Sequence, residues 1–291
     1  MSPTAALLAE RLLPPAPEPL PTSVVDAHTH LDSAAAIGEG RGLTADEALA
    51  VAASVGVERV VQVGCDAADA EWAVALAERN PHVVANVALH PNEVARHPER
   101  VAAGLEVIAR LARDSHVRGV GETGLDYFRT TEPEAQARQR DAFAAHIEIA
   151  RQTHRTLVIH DRDAHDDILD VLAAAPLPGR VVMHCFSGDA DFALRCVRLG
   201  FYLSFPGVVT YPANAHLRAA LAVTPRTQLL VETDAPYLTP VPARGKPNSP
   251  YLLPHTVRFV AQQRGWDLTD TCRLLSANTF AAFGGPWGDD G

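Results

Sequence analysis

The chain has 291 residues, 47% of them hydrophobic, which is enough for one large core that needs neither disulfides nor a metal to hold it together. Its formal charge of −10 excludes a global basic surface of the kind that drives non-specific duplex binding, so a nucleic-acid partner would have to be held by local groups. Four widely spaced cysteines (Cys65, Cys185, Cys196 and Cys272) form no C-x-x-C pair and read as reduced structural thiols.

Residues 1–23 carry six prolines and lack the basic start and apolar stretch of a signal peptide. They read as a flexible extension, with residues 24–285 as one domain and 286–291 as a tail. No apolar run reaches the length of a membrane span, and the expectation is a soluble, cytoplasmic protein with no membrane partner.

From Val24 onward a short β-branched run, a polar turn and a helical stretch recur. The strand candidates are Val24-Val25, Arg59–Val63, Val83–Leu89, Val117–Gly121, Thr156–Ile159, Arg180–Met183, Phe201–Phe205 and Gln228–Val231. Helical spacing fills the intervals, over Thr44–Gly56, Asp69–Arg79, Pro98–Asp114, Glu132–Thr153, Ala164–Ala175, Asp189–Gly200 and Ala213–Val223. His255–Arg264 supplies an eighth helix and Leu268–Phe283 a terminal one. Strands alternating with helices indicate βαβ units and a parallel sheet, and eight of them fit an α/β fold of the (β/α)8 TIM-barrel type. A doubly wound sheet would want a Gly-rich phosphate turn after its first strand. The first strand here runs instead into Asp26-Ala27-His28-Thr29-His30.

In a barrel the carboxyl ends of the strands form the active site. Strand one ends in His28 and His30, three in His90, four in Glu122, five in His160, six in His184 and eight in Asp234. His28 and His30 are two apart, so on extended chain both rings face one way and can converge on an ion with bonds of about 2.0–2.1 Å. A metal centre is the reading for the set. His82, His97, His116, His146, His154, His165, His216 and His255 fall on helices or turns, where a solvated face is the default.

The runs DAHTHLD (Asp26–Asp32), ALHP (Ala88–Pro91), GETGLDY (Gly121–Tyr127), IHDRDA (Ile159–Ala164), HCFSG (His184–Gly188), ETDAPYLTP (Glu232–Pro240) and RGKPNSP (Arg244–Pro250) resemble those of TatD-type metal-dependent hydrolases, in the same order. The resemblance spans Val24 to about Phe283. It implies a TIM barrel with one or two divalent ions and deoxyribonuclease activity, often as a 3′→5′ exonuclease. It also implies that His28, His30 and Asp234 hold one metal, that Glu122 bridges to a second held by His160 and His184, and that His90 is a further active-site histidine. Ala88 stands where glycine is usual and Thr123 where isoleucine is common, which leaves the ligand set intact.

Two ions about 3.5–4 Å apart activate water near neutral pH and stabilise both the attacking and the leaving oxygen of a phosphodiester. Glu122 and Asp234 are the expected catalytic carboxylates with His90 beside them, Asp234 binding metal through one oxygen and taking a proton through the other. Zn²⁺, Mg²⁺ and Mn²⁺ are all compatible with the donors. Barrel hydrolases of amides and lactones often bridge their metals with a carbamylated lysine on strand four; here the one lysine is Lys246, beyond strand eight. An amidohydrolase-like enzyme acting on an amide, lactone or aminoacyl ester remains the alternative, and a non-catalytic metal-binding protein the third reading. Arg162, Ser187, Arg244 and Lys246 are the candidate groups for a DNA substrate, against the plain reading of solvated loop residues. Tyr127 and Tyr237 either stack a base or pack, and Glu232 reads as a structural salt bridge or a catalytic group.

Overall fold

The computed structural model describes residues 3–36 and 42–288. Eight parallel strands run in the order of the sequence, β1 (Val25–Thr29), β2 (Arg59–Gly64), β3 (Val83–Val87), β4 (Val117–Asp126), β5 (Thr156–Arg162), β6 (Val181–Met183), β7 (Tyr202–Phe205) and β8 (Leu229–Val231). A parallel bridge from Thr29 to Ala235 joins the last strand to the first, so the sheet curls into a barrel. The helices are α1 (Pro3–Glu10), α2 (Leu31–Ala36), α3 (Ala45–Ser54), α4 (Ala67–Arg79), α5 (Pro91–Arg96), α6 (Val101–Leu111), α7 (Pro133–Thr153), α8 (His165–Ala173), α9 (Ala190–Arg198), α10 (Ala215–Val223), α11 (Leu253–Arg264) and α12 (Leu268–Ala282). No helix among the described residues is long and apolar enough to cross a membrane.

Local chemistry sets the helix starts. Thr44 Oγ1 accepts from Glu47 N–H while Glu47 Oε2 accepts from Thr44 N–H, a reciprocal cap that opens α3. Asp66 caps α4 and Asp189 caps α9 through the backbone N–H three residues on.

Two apolar layers result. One fills the space between strands and helices; the other lies inside the barrel, where Val25, Ala27, Val61, Val84, Val158, Val182 and Leu230 meet, with Phe283 and Trp287 packed against them. The interior layer fixes the phase of each strand. Counting in twos from Val158, Val182 and Leu230 brings His160, His184 and Asp234 to the inner face. The same count from Val25 and Ala27 would turn His28 and His30 outward, but the β1 register shifts between Asp26 and Thr29. The β4 register likewise shifts between Val120 and Thr123, which turns Glu122 inward. Gly121 and Gly124 flank that shift at φ 156° and 138°, and a Cβ on either would strike the β5 backbone.

Three expectations are corrected here. β4 and β5 do not stop at Glu122 and His160, because beyond the register shift they go on pairing from Thr123–Ile159 to Asp126–Arg162. The N-terminal segment is not a loose extension over its described part: Leu8 is buried, and Tyr251 Oη donates to the Pro14 carbonyl at 2.8 Å. The tail is tied down as far as Trp287, whose indole donates to the His82 carbonyl at 3.2 Å. Residues 1–2 and 289–291 of those two segments lie outside the described residues.

His146 on α7 is buried rather than solvated, because its Nε2 accepts from Leu89 N–H at 3.0 Å and its Nδ1 donates to the Ala142 carbonyl at 2.7 Å. Burial holds it at about 4, opposed by the bond to Ala142. The unfolded chain, with an ordinary histidine, therefore binds a proton that the native state refuses between about pH 6.5 and 4. The stability His146 lends is present above that window and lost as pH falls through it. In chelator, urea unfolding of wild type and His146→Gln should converge as pH falls, with a relative slope approaching about 1.4 kcal/mol per pH unit. Parallel curves would mean that His146 does not titrate this way.

Candidate metal centre

Glu122 sits in the middle of the barrel mouth, 4% exposed, and its two carboxylate oxygens face different partners. Oε1 lies 3.4 Å from His30 Nε2 and 3.6 Å from His28 Nε2. Oε2 lies 3.0 Å from His160 Nδ1, 3.1 Å from His184 Nε2 and 3.6 Å from His90 Nε2. Asp234 Oδ1 completes the first group, 3.4 Å from His30 Nε2 and 3.8 Å from His28 Nε2. All seven of the catalytic and metal-ligand candidates named from the sequence are thus brought together.

The donors fit a divalent cation. His28 Nε2 and His30 Nε2 stand only 3.2 Å apart, and a pair of imidazole nitrogens can share one proton at most. A tetrahedral ion with bonds of about 2.0–2.2 Å separates its ligands by about 3.3–3.6 Å, close to the spacings found around Glu122 Oε1. His28, His30 and Glu122 could hold one ion, His90, Glu122 and His160 another, and His28, His184 and Asp234 form a third overlapping set.

Behind these groups stand residues that aim them. Glu232 Oε1 lies 3.0 Å from His184 Nδ1 and accepts from Cys185 N–H at 2.7 Å, so Nε2 of His184 is turned to Glu122. This favours the salt-bridge reading of Glu232. Asp126, which the sequence reading passed over, lies 3.4 Å from His160 Nε2 and leaves Nδ1 for Glu122. It is pinned in turn by Asn92 Nδ2 at 3.1 Å and Arg129 N–H at 2.9 Å. Asp26 of the D-x-H-x-H run faces away from the centre and accepts from both the backbone N–H and the hydroxyl of Thr233, which braces Asp234 in its left-handed backbone conformation at φ 51°.

Electrostatics follow from burial among these partners. Burial alone would raise Glu122, yet His184, His90 and His160 hold it well below the usual carboxylate range. Burial pulls His90 down to about 3, and its Nδ1 accepts from Asn92 N–H, so the neutral ring carries its proton on Nε2. His160 rises to about 9, because hydrogen bonds to Asp126 and Glu122 outweigh its burial.

Two cysteines read as structural thiols belong to this neighbourhood. Cys65 Sγ lies 3.6 Å from Glu122 Oε1 and 3.8 Å from His30 Nδ1, and burial pushes its thiol up to about 12. Cys185 shares a metal-capable group with His184 and Glu232. The signal was available, since Cys65 directly follows β2 as His30 and His184 directly follow β1 and β6.

The substrate candidates lie around the cluster without touching it. Ser187 Oγ donates to the Asp161 carbonyl at 3.0 Å, and the Arg244 guanidinium lies over the Tyr211 ring at 4.3 Å. Arg162 lies over Phe128 at 4.0 Å, and Lys246 is exposed in the loop after β8. Tyr127 is committed to structure, its hydroxyl donating to Asp167 at 2.6 Å and accepting from Arg140 at 2.7 Å.

A parallel eight-stranded barrel carrying this His, Glu and Asp cluster at the carboxyl ends of its strands defines a metal-dependent hydrolase. The family model described as TatD related DNase matches residues 25–284, and the chain belongs to that family. It is 42% identical over 267 residues to "Uncharacterized metal-dependent hydrolase TatD" of Mycobacterium tuberculosis, covering 91% of this chain and 99% of that protein. It is 34% identical to "3'-5' ssDNA/RNA exonuclease TatD" of Escherichia fergusonii, covering 82% of this chain and 92% of that one. Among solved structures it resembles YJJV, a TatD homologue from Escherichia coli K12, with a TM-score of 0.80, 28% identity, and coverage of 90% of this chain and 98% of the other.

Partners behind metal-binding imidazoles are worth about 10- to 100-fold in metal affinity. Replacing Glu232 with Gln should therefore weaken metal binding by about that factor with the circular dichroism unchanged. Competition against a chromophoric chelator measures it; wild-type affinity in the variant would show that something other than Glu232 orients His184.

Proposed function

We propose that the protein is a two-metal phosphodiesterase acting on DNA, a 3′→5′ exonuclease on single strands. The observation that carries this reading is the division of the Glu122 carboxylate, one oxygen toward His28 and His30 and the other toward His160 and His184. A bridging carboxylate of that kind sets the ion spacing that in-line phosphodiester cleavage uses. Bound divalent cations would supply Lewis acidity to the phosphodiester and to the attacking water. Asp234 turns Oδ1 to the histidines and is the group to take the water's proton on Oδ2. Where His90 does not itself hold a cation, its Nε2–H is the donor available to the phosphate or its leaving oxygen. Arg162, Ser187, Arg244 and Lys246 are the polar groups available at the mouth for the strand itself. The name carried by the Escherichia fergusonii relative supports the same substrate class. Glu122 in place of a carbamylated lysine on β4 argues against the amide and lactone alternative.

The test is digestion of end-labelled single-stranded DNA by protein reconstituted with Mg²⁺, Mn²⁺ or Zn²⁺. A 3′→5′ exonuclease releases a 3′ label at once as mononucleotide and shortens a 5′-labelled strand in a ladder. Internal fragments from both labels would mean endonuclease action. Inert DNA with turnover of a small amide or lactone would transfer the reading to the alternative. Chelation should abolish cleavage while the fold persists, and full activity without metal would remove the metal from the mechanism.

Replacing Glu122 with Gln keeps the shape and removes the negative charge that would hold the cations. Because such ions contribute several kcal/mol of transition-state stabilisation, kcat should fall by about 100-fold or more. One metal equivalent should also bind more weakly. Near-normal turnover and metal content would refute the bridge.

A further inference from the structure

Among the described residues, Phe128 and Tyr237 are the exposed aromatic side chains, 60% and 56% exposed, and every other Phe, Tyr and Trp is buried or half-buried. Exposing two large rings costs a soluble protein apolar surface, and here both stand beside the metal centre. Phe128 follows β4 two residues after Asp126, whose carboxylate lies 3.4 Å from His160 Nε2. Tyr237 follows β8 three residues after Asp234, and its ring meets that of His30 edge-on with centroids 6.4 Å apart. In a barrel ordered β1 to β8, the β4–β5 and β8–β1 seams lie across the mouth from one another.

Each ring is also set for stacking. The Arg162 guanidinium, 4.0 Å from the centre of the Phe128 ring, backs that ring, and the remaining surface faces solvent. Among the described residues the guanidinium makes no hydrogen bond or ion pair, so its N–H groups point to no protein acceptor. Among the described residues the hydrogen bonds of Tyr237 are made by its backbone, its N–H donating to Asp234 O at 2.9 Å and its carbonyl accepting from Asn248 Nδ2 at 2.6 Å. These fix the loop and leave the side chain of this 56% exposed residue free of polar ties.

We propose that Phe128 and Tyr237 form a two-sided clamp that stacks unpaired nucleobases on either side of the phosphate presented to the metal centre, with Arg162 backing Phe128 and neutralising the strand's phosphate. The proposal rests on the nuclease reading above and adds the determinant of strand type. Bases inside a duplex have their faces occupied by neighbours and cannot meet both rings, whereas a single strand or a frayed end can. Stacking on an aromatic ring accepts any base, so the clamp selects for unpaired bases without selecting sequence.

The test uses metal-reconstituted protein and two labelled 12-mers that resist hydrolysis. One is oligothymidylate with phosphorothioate linkages throughout, and the other is the same sugar–phosphorothioate chain without bases. Wild type should bind the base-bearing strand about tenfold or more tightly than the baseless one. Phe128→Ala and Tyr237→Ala should each cut that ratio about fivefold or more. Affinity for the baseless strand and metal content should not change. Phe128→Trp and Tyr237→Phe, which keep a ring, should preserve the ratio. An unchanged ratio in the Ala variants, or equal wild-type affinity for the two strands, overturns the clamp and leaves the nuclease reading standing. Failure of wild type to bind either strand overturns the nucleic-acid reading and the clamp with it.

Discussion

A single buried carboxylate organises the site. Glu122 is nearly inaccessible to water, a position in which an unpaired negative charge would cost several kcal/mol. It is tolerated because five imidazoles crowd its two oxygens, and those imidazoles tolerate one another because the carboxylate lies between them. The arrangement is held together by complementary charge in a low-dielectric setting, and it remains electron-rich on the donor side. A cluster of nitrogens and oxygens with too few protons to satisfy them all is suited to cations. The same groups that would make a poor hydrophobic core make a metal centre.

That centre is precise because the elements under it are rigid. The lower half of the barrel is filled by Val, Ala and Leu side chains, with Phe283 and Trp287 packed against them. The polar layer rests on this apolar layer and shares its strand phases. The residues behind the ligands, Glu232, Asp126, Asn92 and Asp26, each fix one nitrogen or one backbone turn, so the reactive nitrogens have little freedom to turn elsewhere. Stability and function are thus supplied by different layers of one barrel. Loss of a polar donor should cost chemistry more than folding, since the apolar layers are untouched.

The mouth is built differently. Its groups sit at the end of β5 and on the loops after β4, β6, β7 and β8, and several are engaged: Arg244 lies on Tyr211, Ser187 bonds the Asp161 carbonyl, and Tyr127 is held by Asp167 and Arg140. Arg162, Phe128, Tyr237 and Lys246 keep surface to offer. With a net charge of −10, the proposed polyanionic substrate would have to be drawn by these few groups and by cations held at the centre. Arg162, Arg244 and Lys246 put basic groups at this opening, beside the exposed Phe128 and Tyr237.

The linear sequence by itself determined the architecture and the candidate ligand types. Short β-branched runs alternating with helical spacing indicate a parallel sheet, and His28, His30, His90, Glu122, His160, His184 and Asp234 stand in or just beyond the carboxyl-terminal parts of its strands. Local pattern reaches that far because strand phase and helix caps depend on neighbours a few residues apart. What only the tertiary structure decided is which way those residues face and what stands behind them. The register shifts in β1 and β4 reverse the inward face for His28, His30 and Glu122, and such a shift depends on pairing with strands dozens of residues away. Asp126 pairs with His160, His146 with Leu89, and Cys65 with Glu122 across separations of 34, 57 and 57 residues, contacts that closing the barrel creates. A sequence records which donors are present; their convergence comes from closing the sheet, since only closure brings the ends of eight strands around one axis.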